Sequence, residues 1–287
     1  MKFTFVPASG SSIVFEKNAA TYRLLKSYDG MSIELVTHLT QTAPYQQGQT
    51  RIDTRFEPRE ISFDIMIQAA SLELLQAAVK DLAASLNPLL GTGHLLYEYE
   101  DGTTYTIHSI GNNTPTISPS NRGLTWQHAK IDLVCFDPFW YSSPPEIVYF
   151  EASGNAFFPL DISSNFLGAN GATNTLTNTG DVETPVTILI SGEITNPVLT
   201  NTTTDQSMNI TLVMSAGDTF LITTAFGNKT ATYTPSGGAA ENGFKYFDAD
   251  SVFWQLNPGD NVVTLSDLTI GSGCIVSIEW ENRYSGV

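Results

Sequence analysis

Apolar residues recur at every second position over much of this chain, and a helical period is kept in one stretch only. Ile61, Phe63, Ile65 and Ile67 alternate with Ser62, Asp64 and Met66, the period of a strand with one buried face. The pattern then changes. Ser71 stands where a helix N-cap belongs, Leu72, Leu75, Val79, Leu82 and Leu86 follow at three-to-four spacing, and Asn87-Pro88 closes the run. Glu73, Gln76, Lys80 and Asp81 occupy the other side, so the helix is expected to lay one stripe on a sheet of its own chain. Residues 94–100 and 103–110 flank Asp101-Gly102 and predict a hairpin, because Asp-Gly supplies the positive φ of a tight turn. A further strand runs from Leu124 through Trp126 towards Phe136.

From Thr184 onward the reading is β throughout. Val186, Ile188 and Ile190 alternate, as do Met208, Ile210, Leu212 and Met214, then Phe220 and Ile222. Residues 251–256, 261–265 and 274–280 are expected to form the later strands. Turns fall at Ser191-Gly192, Ala216-Gly217-Asp218, Phe226-Gly227-Asn228, Asn257-Pro258-Gly259-Asp260 and Gly271-Ser272-Gly273. Short strands with no helix between them indicate an antiparallel sandwich. The fold class is therefore mainly β, an α+β first half with one long helix followed by a β-sandwich.

Length and composition sharpen this. The chain has 287 residues, 41% hydrophobic and 11% aromatic, enough for two domain cores. Consecutive prolines in Ser142-Ser143-Pro144-Pro145 mark a break. The expected division is residues 1–143, a linker at 144–150, and residues 151–287. Charge divides unevenly across it: residues 1–143 hold 10 Lys+Arg and 14 Asp+Glu, residues 144–287 hold 3 and 15, and the formal net charge is -16. Such a balance offers no cationic footprint for specific nucleic-acid binding. No apolar run is long enough to insert in a membrane as a helix, and the N-terminal residues lack the pattern of a signal peptide. Without such a signal, the sequons at Asn201, Asn209 and Asn228 are read as polar sheet surface.

Candidate chemistry is sparse. Cys135 and Cys274 lie on apolar segments without a partner at ligand spacing, and are read as buried thiols. His38, His94, His108 and His128 make no metal pattern, and no nucleophile elbow or phosphate loop is present, since Gly227-Asn228-Lys229-Thr230 lacks the second glycine and a following helix. Paired acids occur at Glu98 with Glu100, at Glu279 with Glu281 and at Asp248 with Asp250. The last pair sits in a turn and is the leading metal candidate. Trp254 and Trp280 could stack on a sugar, but both alternate with apolar positions and are expected in the core. No catalytic residue and no cofactor are assigned.

Certain segments, taken in order, resemble the distal tail proteins of siphophages. They are 58–63 (Pro-Arg-Glu-Ile-Ser-Phe), Leu86-Asn87-Pro88, Leu96-Tyr97-Glu98-Tyr99 and 131–140, which ends in Asp137-Pro138-Phe139-Trp140. Asn178-Thr179-Gly180-Asp181, residues 256–261 and Trp280-Glu281-Asn282-Arg283-Tyr284 continue the resemblance through the second half. It implies a structural virion protein at the distal end of the tail, made in the host bacterial cytoplasm, with no enzymatic activity. It also implies a homo-hexameric ring built by the N-terminal domain and a galectin-like C-terminal sandwich. Its implied partners are the tail tube protein, the tail-associated hub protein and a receptor-binding protein, with DNA passing through the ring lumen. Pro138, Phe139 and Trp140 carry the family signature as structural residues. The competing reading is a carbohydrate-binding β-sandwich module for attachment to the host cell wall.

Overall fold

The computed structural model describes residues 1–32, 36–152, 166–167, 172–266, 269–270 and 273–287. The chain forms two compact units, one of Met1–Ser143 with Tyr284–Val287 and one of Pro144–Arg283. The C-terminal residues thus return to the first unit. Two expectations change with this: Tyr284–Val287 leave the second domain, and the segment read as a linker is largely strand, Glu146–Ala152. Once Pro144-Pro145 is passed, Ile147, Val148, Tyr149 and Phe150 satisfy their backbone groups in a sheet.

The first unit contains β1 (Lys2–Val6), β2 (Ile13–Glu16), β3 (Tyr22–Asp29), β4 (Val36–Gln41), β5 (Thr50–Phe56), β6 (Arg59–Gln68), α1 (Leu72–Ser85), β7 (Gly93–Glu98), β8 (Thr104–Asn112), β9 (Thr116–Arg122), β10 (Trp126–Cys135) and β11 (Trp140–Ser143). Its main sheet runs β11-β8-β7-β1-β2-β3-β6-β10-β9, and β8 also pairs with β10. That second pairing closes the sheet into a barrel. Alternation explains the filling: Phe3, Phe5, Phe15, Ile61, Phe63, Ile65, Ile131 and Leu133 are all fully buried.

Helix α1 covers part of this core with Leu75, Ala78 and Leu82. Ser71 caps it as expected, its hydroxyl accepting from Leu74 N–H at 3.3 Å. Leu72, at the first turn, is exposed and leaves the stripe. The Asp101-Gly102 hairpin is present, with Gly102 at φ 88° and the Asp101 carboxylate accepting from Thr103 N–H at 2.9 Å.

The second unit contains β12 (Glu146–Ala152), β13 (Phe166–Leu167), β14 (Ala172–Asn178), β15 (Val186–Ser191), β16 (Ile194–Thr195), β17 (Val198–Asn201), β18 (Gln206–Asn209), β19 (Val213–Met214), β20 (Thr219–Thr223), β21 (Thr230–Thr234), β22 (Glu241–Asn242), β23 (Gly259–Ser266), β24 (Thr269–Ile270) and β25 (Ile275–Trp280). One sheet runs β13-β12-β25-β15-β20-β21-β22, a second β14-β23-β17-β18, and a third β19-β16-β24. Pairing is antiparallel except for β13 on β12. Inward residues of the first two sheets, among them Ile188, Phe220 and Ile278 from one and Leu199, Met208 and Leu265 from the other, share a single core.

Two predicted strands differ. The run Met208 to Met214 is broken into β18 and β19, because Ile210, Leu212 and their neighbours turn between two sheets. Residues 251–256 form no ladder: Val252 N–H donates to Ser207 O at 2.8 Å, and Leu256 makes one bridge to Thr184. Their alternation serves a tethered loop. The predicted turn at 271–273 lies outside the described residues except for Gly273.

Candidate assembly surface

The signature segment lies at the foot of an exposed hairpin. Strands β4 and β5 pair only with each other, starting from Val36 opposite Phe56, with Ile52 unpaired at a bulge. Nearly every residue of both strands is exposed, including Val36 at 38%, Leu39 at 39%, Phe56 at 43% and Ile52 at 64%. Tyr45, between the strands, is fully exposed with φ 66°. A two-stranded ribbon with uncovered apolar side chains is marginal alone in water, so this hairpin has the composition of a surface built to be covered.

The neck of that hairpin is rigid. Arg59, the first residue of β6, is 3% exposed, and its guanidinium donates to Pro138 O at 2.7 Å, Gly30 O at 3.0 Å, Met31 O at 2.6 Å and Ser285 O at 2.7 Å. It therefore ties the backbone that enters the hairpin, at Gly30 and Met31, to the strand that leaves it. Burial pulls its pKa down to about 10, with the Cys135 side opposing the shift. The planar fork spans several carbonyls at once, which an ammonium cannot do. Gly30 is required here: at φ +88° a Cβ would sit 2.0 Å from Glu60 O.

Pro138, Phe139 and Trp140 meet at this neck. The Pro138 carbonyl is one of the Arg59 acceptors, and the Trp140 indole N–H donates to Met31 O at 3.1 Å while its ring lies 5.7 Å from the guanidinium. Phe139 packs edge-on against Phe56 at 5.5 Å. Trp140 continues inward to Tyr97 at 5.8 Å and thence to Phe3 at 4.7 Å, which joins the neck to the barrel core. Asp137 shapes the turn, accepting from Phe139 N–H and from the Tyr141 hydroxyl. Tyr97 is held well above the usual tyrosine range, first by burial and then by Tyr99, so it stays neutral. Sequence reading placed both Arg59, in segment 58–63, and the Asp-Pro-Phe-Trp motif in the family resemblance, but not their contact, which joins residues 79 apart.

The remaining candidates stand apart. Asp248 and Asp250 are both exposed, Asp248 accepting from the Thr211 hydroxyl at 3.1 Å, and no group of three or more His, Cys, Asp or Glu suited to a metal occurs among the described residues. Glu98 pairs with Lys2 at 2.9 Å. The four histidines fall on separate strands, His38 on the hairpin and His94, His108 and His128 on the barrel. Burial raises the thiol pKa of Cys135 to about 12 and that of Cys274 to about 11, as expected of inert buried thiols. Trp254 and Trp280 are buried, with Trp254 donating to Leu199 O at 3.2 Å, so neither is a sugar platform. Asn201, read as surface, is fully buried.

The first unit is thus a barrel carrying an exposed hairpin, and the second is built from three sheets. Residues 10–135 match the phage tail protein RIFT-related domain, and residues 179–284 match the C-terminal domain of the siphovirus-type tail component. The chain belongs to the siphophage distal tail protein family. Among solved structures it is similar to the Dit protein of phage SPP1, described as a paradigm of the hub adsorption apparatus in phages that infect Gram-positive bacteria. That match has a TM-score of 0.68 at 12% identity and covers 98% of both chains. The activated baseplate of phage P2 with Ca follows at a TM-score of 0.56, 12% identity and full coverage of both chains. At this identity the likeness is one of fold. No curated protein sequence matches the chain.

Proposed function

We propose that this protein is a ring-forming connector at the distal end of a phage tail, a non-enzymatic virion component. In this reading it joins the tail tube to the hub protein and the receptor-binding apparatus. The hairpin β4–β5 carries the reading. The apolar side chains of this ribbon stand uncovered above a neck tied by Arg59, and so offer copies of the chain a means of contact. A ring built by rotation needs heterologous contacts, one patch meeting a different patch of the next copy, and a projecting hairpin supplies one half of such a pair. Burying what remains exposed of Val36, Ile52 and Phe56 would contribute about 1 kcal/mol each. Six copies are the number the family resemblance suggests, and the second unit, read as galectin-like, is left facing solvent with most of the negative charge.

Static light scattering on the purified protein during size exclusion, with negative-stain imaging of the same fraction, tests this. Closed rings of one size are expected. A monomer that persists at high concentration, and in the presence of the tube and hub proteins of the same phage, overturns it.

A further inference from the structure

We infer that a groove beside helix α1 is the acceptor for the β4–β5 hairpin of a second copy of this chain. The inference rests on the ring reading above and names the half of the contact that the hairpin itself does not supply. The groove has a volume of about 820 Å³, and Ala69, Ala70, Leu74, Ala77, Ala78 and Asp81 are among the residues that line it.

Local sequence holds it open. Leu74, Ala77, Ala78 and Asp81 follow one another at three-to-four spacing and so share one face of α1. With Ala69 and Ala70 from the β6–α1 junction, most of these side chains end at Cβ, which leaves room for side chains from outside. Leu74 is 56% exposed, and Leu124 and Trp126, on either side of the lining residue Thr125, are exposed as well. Apolar groups uncovered together in this way mark a surface of contact. The groove is also rigid: the Tyr22 hydroxyl donates to Ala78 O at 3.0 Å, Gln68 N–H to Thr21 O at 2.8 Å and Ala69 N–H to Thr125 O at 3.0 Å. Helix and strands are thereby tied before anything enters, which lowers the ordering cost of binding.

Topology puts hairpin and groove at opposite ends of one strand pair. β3 and β6 run antiparallel, with Tyr22 opposite Ile67 at one end and Asp29 opposite Ser62 towards the other. The hairpin leaves from the Asp29 and Arg59 end, and the groove lies at the Tyr22 and Gln68 end. The 10 residues of β6 set about 30 Å between them, at ~3.3 Å per residue. Both strands of the hairpin are almost entirely exposed, so it does not lie back over its own barrel, and Arg59 fixes its root. Hairpin and groove of one chain therefore do not cover each other. A second copy covers both, because the donor end of one subunit meets the acceptor end of the next, the heterologous contact from which rings are built.

The two surfaces match in chemistry. The hairpin offers Val36, Leu39, Ile52 and Phe56 to an apolar groove. Between residues 36 and 56 it carries Arg51 and Arg55 against Asp53 alone, so this segment is net positive in a chain of -16. Asp81, on the groove wall, is exposed and makes no hydrogen bond or ion pair among the described residues. A cationic ribbon is thus favoured there, and the charges orient the contact more than they tighten it.

Cross-linking of the full chain tests this. The variants Ile52→Cys and Leu74→Cys each add one thiol at an exposed position, while Cys135 and Cys274 are buried and do not compete. Each variant is melted beside wild type, and if Leu74→Cys melts lower, Ala77→Cys, exposed on the same helix face, replaces it. Mixed in equal amounts and treated with a short bismaleimide, Ile52→Cys and Leu74→Cys should give a covalent dimer on a denaturing gel. The expected yield is about tenfold or more above that of either variant alone, or of Ile52→Cys mixed with Leu89→Cys, exposed but not part of the groove lining. The double variant Ile52→Cys/Leu74→Cys should give a ladder that ends at the size of the ring. Efficient dimers from Ile52→Cys alone would mean that hairpin meets hairpin, and overturn the inference. A mixed yield equal to the Leu89→Cys control, in a protein that light scattering shows to form rings, also overturns it and leaves the ring reading standing. A wild type that forms no ring, alone or with the tube and hub proteins, overturns the ring reading and the inference with it.

Discussion

Arg59 is a buried cation whose partners are four backbone carbonyls and an indole face, with no carboxylate paired to it among the described residues. Its replacement leaves those carbonyls without donors, each at ~1–3 kcal/mol. Arg59→Ala is therefore expected to destabilise the first unit by at least about 3 kcal/mol in chemical denaturation. Arg59→Lys should recover little, because one ammonium cannot reach carbonyls on three segments. Asp218 does comparable work in the second unit: its carboxylate accepts from Ser215 N–H at 2.8 Å, the Tyr233 hydroxyl at 2.7 Å and Ser236 N–H at 2.7 Å. The Ser215 amide, then Tyr233 and Ser236, hold its pKa below the ordinary value of 3.8. A depressed carboxylate contributes stability that is present above the ordinary value and is lost as the pH falls through the lowered one. Asp218→Asn should thus melt below wild type near neutral pH, with the gap narrowing once the pH drops below 3.8.

At the scale of elements, the proposed contact between copies rests on the hairpin β4–β5. Ile52→Asp places a charge in the middle of its apolar positions without touching the barrel core, since Ile52 is 64% exposed. The expected outcome is a folded protein with an unchanged melting temperature whose self-association is weaker by about fivefold or more, the effect of losing about 1 kcal/mol of apolar burial. Analytical ultracentrifugation reads it directly. Elements with strong periodicity were legible in the sequence: β6, α1 and its Ser71 cap, and the Asp-Gly hairpin each follow from local chemistry. Residues 1–57 held no assigned element, although Phe3 and Phe5 alternate cleanly: β1 and β2 are too short for a pattern to stand out, and the exposed β4 and β5 have no buried face to set a period. Residues 251–256 misled in the opposite way. Val252 is exposed and Trp254 buried, although an alternating strand would put both on one face; the segment is a loop pinned by single hydrogen bonds.

Over the whole molecule, acidity opposes assembly. Each copy carries -16, and copies brought side by side repel unless salt screens them. Raising ionic strength from about 0.02 M to about 0.3 M shortens the screening length to below 10 Å, so self-association should strengthen with salt. An association that weakens with salt would mean that ion pairs, and not the apolar hairpin, make the contact.

The sequence by itself determined the strand-rich class, the one long helix, the break near Pro144-Pro145 and the unequal charge of the two halves. Each depends on residue type, spacing or count, and so on physics local in the chain. Tertiary structure alone decided that β8 also pairs with β10 and closes a barrel, and that Arg59 gathers carbonyls from segments 29, 79 and 226 residues away. These features are set by which distant backbone groups satisfy one another once the core has collapsed, and no local periodicity encodes that choice.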